Sequence, residues 1–297
     1  MNLPIALLFS FLAMPVLGQH DHAAESTAAG NTAPAPTLRA TAQPWTQQPL
    51  LLPGRMARGE RNTAVLRPQG IAATSVTVYA PEGPPERRKV DYPLGPEGAK
   101  IEAVTPKIGN YHWVIAREET PNEVRVASTA WYFGNPGASP KVLLQETKHE
   151  LEIVPDPLPR EHASYRESEQ WRFLVRFNGQ PLANQPLLLE TAFGTRSTVF
   201  TNTAGVATVQ FPRDFRPAGK RDGAHEDHGL RRAPFVLSTV KEADGRRYLT
   251  AFNLSYGEAS DRNRSLGWGA AFGLIGMLAA TPLLRRRPAN HGETHHA

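Results

Sequence analysis

A long uncharged stretch lies near the end of the chain. Leu266–Leu284 reads LGWGAAFGLIGMLAATPLL, and Arg285, Arg286 and Arg287 follow directly. At ~1.5 Å of rise per residue a helix of this run reaches about 28 Å, close to the thickness of a bilayer's hydrocarbon core. A core helix of that length ordinarily keeps a polar stripe, and this run has none. The pattern therefore predicts a transmembrane helix over 266–284, with Trp268 at an interface and the arginine triplet favouring a cytoplasmic tail over 285–297. A second apolar run, 5–12, is followed by Pro15 and Gly18 and predicts a signal peptide over 1–18. From 19 to 49 the chain is rich in Ala, Thr, Pro, Gln and Gly without apolar period, which predicts a disordered tether.

Between these ends the repeat of apolar positions is short. Segments 71–79, 100–104, 111–116, 124–133, 142–145 and 151–154 read as strands, separated by clusters of Gly, Pro and Asn. Tyr111, Trp113 and Ile115 alternate with His112 and Val114, the pattern of a half-buried strand. Residues 50–155 are thus expected to form a first β-rich domain. Pro155, Pro157 and Pro159 form a stiff break after it.

A clearer alternation follows. Trp171, Phe173, Val175 and Phe177 point one way, and Arg172, Arg176 and Asn178 the other. Asn178-Gly179, the run Asn202-Thr203-Ala204-Gly205 and Asp244-Gly245 supply turns between further strands. Seven or so short strands over 160–257 predict an Ig-like β-sandwich. The expected fold is mainly β: two β-sandwich-like domains, the second Ig-like, plus one C-terminal transmembrane helix.

Composition narrows the chemistry. The formal charge of +5 is spread without basic blocks interleaved with aromatics, so nucleic acid is not an expected partner. The absence of cysteine removes disulfides, thiolate metal sites and a cysteine nucleophile. No Gly-x-Ser-x-Gly elbow, His-Glu-x-x-His helix or phosphate-cradling loop occurs, and no enzymatic activity is expected.

Without thiolates, a metal site here would need imidazole and carboxylate. The densest such group is His225-Glu226-Asp227-His228, in a long connection between two strands. His225 and His228, three residues apart with Asp227 between them, can meet on one divalent transition ion if the segment turns. His20 and His22, flanking Asp21 near the expected signal cleavage, are secondary candidates. His112, His149 and His162 stand singly in or beside strands and read as surface or edge histidines. In the apolar helix, Gly269 and Gly273, and Gly276 and Ala280, form small-xxx-small pairs that would let a membrane partner or a second copy approach closely.

The segment 173–190, FLVRFNGQPLANQPLLLE, and the segment 200–212, FTNTAGVATVQFP, resemble a signature of exported Ig-like or transthyretin-like modules. With LEIVPDPLP before them, a leader and a C-terminal span, they are similar to a bacterial group, the nickel-uptake substrate-specific transmembrane-region family. The resemblance covers roughly residues 60–256. It implies a protein of the bacterial inner membrane with its main domains in the periplasm, acting as an accessory to divalent metal uptake beside a transporter subunit, with nickel or cobalt favoured. The alternative is a non-enzymatic Ig-like interaction or structural module of the cell envelope.

Overall fold

The computed structural model describes residues 44–54, 61–134, 136–159, 164–216 and 231–259, and the helix Leu266–Leu284 with its side chains over 270–278 and 280–281. In chain order the first elements are β1 (Leu50–Pro53), β2 (Thr63–Gln69), β3 (Ser75–Tyr79), α1 (Pro85–Arg88), β4 (Lys89–Pro93), β5 (Ala99–Glu102), β6 (Tyr111–Glu119) and β7 (Glu123–Tyr132). Then come α2 (Lys141–Gln145), β8 (Leu151–Asp156), β9 (Tyr165–Arg166), β10 (Gln170–Phe177), β11 (Gln180–Pro181), β12 (Pro186–Thr191) and β13 (Arg196–Phe200). The last are β14 (Val206–Gln210), β15 (Arg232–Ala243), β16 (Arg246–Gly257) and α3 (Leu266–Leu284).

The protein is mainly β, and among the described residues its strands form three sheets. The largest has nine strands in the order β13-β12-β15-β16-β7-β6-β3-β4, with β9 added beside β16. It runs without a break through both halves of the chain. The join is a parallel pair, β7 with β16, from Glu123↔Arg247 to Ser128↔Phe252.

Successive side chains on a strand point to opposite faces, so this sheet offers two apolar surfaces, and each is covered. On one face lie Trp113, Ile115, Val126, Phe235, Leu237 and Phe252, packed against Ile153, Phe173, Val175 and Val209 of the sheet formed by β8, β10, β11 and β14. On the other lie Val76, Val78, Val114, Ala116 and Ala127, packed against Leu51, Ala64, Leu66 and Ile101 of the β1-β2-β5 sheet. Leu50 extends that second contact to Val236 and Ala251 across the join.

This layering changes three sequence expectations. β6 is buried on both faces, because the strand is central and covered twice; the alternation of Tyr111, Trp113 and Ile115 reports only which layer each residue meets. Segment 142–145 lies in the short helix α2; Pro140 (φ −70°) precedes it, and Leu143 is its buried residue. Lys148 donates from Nζ to the carbonyls of Leu143 and Glu146, satisfying acceptors at the helix end. Arg176, expected on a solvent face, is buried against Glu152 at 2.6 Å and also donates to the carbonyls of Gln145 and Glu146. Glu152 comes from β8, which pairs with β10 along Leu151↔Phe177 to Asp156↔Arg172 and so belongs to the layer built by the second half of the chain.

Two tight turns form where the sequence places them. Asn178 and Gly179 have φ of +48° and +79°, and Asp244 and Gly245 have +52° and +74°. Positive φ at both central positions is the twist that matches a two-residue hairpin, and the second turn closes the twelve-pair β15–β16 ladder.

Helix α3 forms over the expected 266–284. Phe272, Leu274, Ile275, Met277 and Leu278 are all exposed on it, and a Cβ added at Gly273 or Gly276 would meet nothing within 4 Å. Among the described residues no helix is long and apolar enough to cross a membrane; the part of α3 whose side chains are described spans about 18 Å.

Candidate binding cleft at the seam

The parallel pairing of β7 and β16 stops at Ser128↔Phe252, and the strands then separate. β7 continues beside β6 as far as Tyr132↔Tyr111, while β16 continues beside β15 and gains β9 at Tyr256↔Tyr165. Side chains take over the bonding as the strands part. The Ser128 hydroxyl donates to the Ala251 carbonyl (3.1 Å) and the Thr129 hydroxyl to the Asn253 carbonyl (2.8 Å). The Asn253 amide reaches the other way: its Oδ1 accepts from the Leu51 N–H (2.8 Å) and its Nδ2 donates to the Leu51 carbonyl (2.9 Å). One amide side chain thus does for β1 what a neighbouring strand would do.

Beyond these bonds the wedge is open and forms a cleft of about 580 Å³. That lies within the usual range for a small-molecule site. β1 supplies Leu52 to its wall, β7 supplies Trp131 and Tyr132, and β15 supplies Arg232 and Pro234. Tyr111 and Tyr165 complete the aromatic lining. The Tyr111 and Tyr132 rings sit 5.1 Å apart between centroids, tilted by 51°.

The polar groups of the cleft differ in how far they are satisfied. The Tyr111 hydroxyl donates to the Pro159 carbonyl at 2.8 Å. Burial, and then the neighbouring Tyr132, push that phenol up to about 12, so it stays protonated. Tyr165 is 1 % exposed, and burial raises it well above the ordinary phenol value, with Tyr111 adding to the effect. Its hydroxyl has no hydrogen-bond partner among the described residues. Among the described lining residues Arg232 is the one ionised side chain.

The metal candidates fall elsewhere. His20 and His22, and His225, Asp227 and His228, lie outside the described residues. Among the described residues no group of three His, Asp or Glu side chains is placed to hold a metal ion. What the structure does show is the frame from which the segment 217–230 departs. Asp214 accepts from the hydroxyls of Thr191 (2.7 Å), Thr195 (2.7 Å) and Tyr256 (2.8 Å). Arg231 grips Glu258 through Nε and Nη2 (2.9 and 2.7 Å) and donates to the Arg216 carbonyl at 2.6 Å, tying the two ends of that segment together.

Two other histidines are not at the surface as expected. His112 is 1 % exposed, accepts from the Val104 N–H at Nε2 (3.0 Å) and stands edge-on to Phe133; burial holds it down to about 4. His149 is buried beside Glu150 and Arg117, and burial lowers it to about 3. Both are buried because the layers meeting on β6 and in front of β8 leave little open edge.

The cleft residues were missed in the sequence for a reason. Tyr111 and Tyr132 end the two arms of one hairpin, and the aromatic clusters 111–113 and 131–133 are a visible trace of that. Arg232 and Tyr165 give no local signal; the fold alone brings them to the same space.

No protein-family model matches the chain, and no curated protein does. Among solved structures, one of a 1.5-MDa bacterial ice-binding adhesin is similar at 10 % identity over 71 % of this chain, with a TM-score of 0.24; this chain spans 64 % of that one. A segment of two fibronectin type III domains from chicken tenascin is similar at 9 % identity over 69 % of this chain and 98 % of the other, with a TM-score of 0.19. Likenesses this distant bear on neither site nor activity, and the architecture rests on the strand pairings above.

Proposed function

We propose that the chain is a membrane-tethered, non-catalytic binding protein of the cell envelope, with an Ig-like second half and its recognition site in the seam cleft. The observation that carries this is the cleft itself: an apolar, aromatic-walled space where two fused sandwiches part. Support for the tether comes from α3, whose five exposed large apolar side chains would each lose roughly 1.5–3 kcal/mol of transfer energy in water. The uncharged run 266–284, the arginines at 285–287 and the apolar leader agree with export and a single C-terminal span.

The test is native mass spectrometry of the full chain released gently from detergent, comparing wild type with Ser255→Trp, which places an indole at the lip of the cleft. Adducts carried by the wild type and lost in the variant are the expected result. The same adducts on both proteins would move binding away from the seam and overturn the reading.

A second reading keeps the metal accessory role, with nickel or cobalt as the ion and a transporter subunit or a second copy as the partner at Gly269, Gly273, Gly276 and Ala280. What favours it is the tied base of the segment 217–230, formed by Asp214, Arg231 and Glu258, from which His225, Asp227 and His228 would reach a common ion. Calorimetry of the full chain with nickel, cobalt, copper and zinc decides it. Stoichiometric binding lost in a His225→Ala/His228→Ala double variant is expected, and binding unchanged by that variant removes the assignment.

A further inference from the structure

The nine-stranded sheet ends in β13 on one side and β4 on the other, and each has one neighbouring strand among the described residues. In an antiparallel pair, residues alternate between exchanging backbone bonds with the partner and directing them away from it. The register against β12 fixes which residues of β13 do which. The Thr201 N–H donates to the Gln185 carbonyl and the Thr191 N–H to the Thr195 carbonyl, both at 3.0 Å, on either side of the pairs Leu187↔Val199 and Leu189↔Ser197. Ser197 and Val199 therefore bond to β12. Arg196, Thr198 and Phe200 turn their backbone groups outward, along an edge with no described strand beside it.

The same alternation on β4 gives the opposite chemistry. Its bonds to β3 are framed by Leu94 N–H to the Thr74 carbonyl and Ala80 N–H to the Arg88 carbonyl, so Lys89, Asp91 and Pro93 face out. Two charges and a residue without an N–H guard that edge against a further strand. The outward row of β13 holds neither proline nor acid, and it ends in the Phe200 ring, which is 64 % exposed. Its single charge, Arg196, rests against Glu190 of β12 at 3.6 Å.

The outward row is complementary to itself. A second β13 laid antiparallel and centred on Thr198 sets Thr198 opposite its own copy and each Arg196 opposite the Phe200 of the other chain. Every outward N–H and carbonyl of the strand then has a partner. A shift of two residues either way leaves Arg196 or Phe200 without one. The centred register also keeps the two arginines apart and lays each guanidinium beside a phenyl ring, a favourable cross-strand pair. An in-register parallel pair would instead set Arg196 beside Arg196.

We propose that β13 is the edge through which two copies of this chain pair, antiparallel and centred on Thr198, so that one sheet continues across both molecules. No residue of β13 lines the seam cleft, and the pairing stands apart from what that cleft binds.

The chain has no cysteine, so Thr198→Cys introduces a single thiol whose copy lies across the axis, about 5.5 Å away between Cα atoms. A short bis-maleimide should link the full-length Thr198→Cys protein in detergent into dimers, and should link Asp91→Cys, on the guarded edge, far less. Sedimentation of the unlinked wild type should show a dimer. Its dissociation constant should rise about tenfold or more in Phe200→Lys, because symmetry converts two favourable cross-strand pairs into two like-charge pairs at an exposed position. Gly273→Leu, in α3, should leave that dimer intact. Thr198→Cys linking no better than Asp91→Cys would overturn the proposal, as would a monomeric wild type, which would leave the edge to a strand of another protein. A dimer lost in Gly273→Leu and indifferent to Phe200→Lys would also overturn it, by moving the contact to α3.

Discussion

The same two strands, β7 and β16, meet in opposite ways at the two ends of the seam. At the start, Glu123 pairs with Arg247, Arg246 donates to Glu119 and to the Thr120 carbonyl, and Arg117 holds both Glu119 and Glu150. At the far end Ser128, Thr129 and Asn253 bond to backbone. The charged end is partly exposed, whereas Ser128, Thr129 and Asn253 are buried. Exposed ion pairs contribute little against water and salt, and buried polar groups cost much when left unpaired. The contrast places most of the holding energy beside the opening and little of it at the end crowded with arginines.

Substitutions can test that ranking directly. Phe252→Ala should have the largest effect, about 3–5 kcal/mol, because the ring stacks on Trp113 of the other half at 5.2 Å and its removal leaves a cavity under the seam. Urea denaturation of the full chain measures it. Asn253→Ala should come next, at about 2–3 kcal/mol, since it strands the buried N–H and carbonyl of Leu51. Hydrogen exchange should show the amide of Leu51 losing protection before the rest of the sheet. An unchanged Leu51 amide would mean that β1 is held by its pairing with β2 alone.

Acid should weaken the fold in two stages. Burial lowers His112 to about 4 and His149 to about 3, below the ~6.5 of an unfolded histidine. The unfolded state therefore binds protons that the folded state refuses, and stability present above about pH 6.5 is lost progressively as the pH falls toward those folded values. Hydrogen bonds from Arg117 hold Glu150 at about 2, so its contribution is complete above the ~4.3 of an unfolded glutamate and disappears as the pH falls from there toward about 2. Urea midpoints against pH should decline from about 6.5 downward, and Arg117→Gln should flatten the portion below about 4.3. The smallest change is expected for Arg247→Gln, under about 1 kcal/mol and less still in high salt, because the pair with Glu123 is half exposed. A cost as large as that of Asn253→Ala would invert the ranking of the two ends.

The sequence carries the faces of this fold better than its partners. Phe173 and Val175 alternate with buried certainty, and Asn178-Gly179 and Asp244-Gly245 turn as their φ requirements dictate. A period of two tells which side a residue takes but not which strand lies alongside, so the parallel join of Glu123 to Arg247 leaves no mark in either segment. Arg176 looked solvent-facing because its partner, Glu152, is 24 residues away on β8. The cleft was hidden for the same reason: Tyr111, Tyr165 and Arg232 share a space only because β7 and β16 separate. The metal candidates were visible as a local cluster, and they fall outside the described residues.

The position of β16 has a mechanical consequence. The strand is bonded along one side to β15 through twelve residue pairs and along the other to β7 through six, and the chain leaves from its end toward Leu266. A pull arriving from that direction runs along the strand and loads both ladders in shear, so their bonds resist together instead of opening one after another. A protein held by its C-terminal side and grasped elsewhere would bear tension on its most firmly clamped strand.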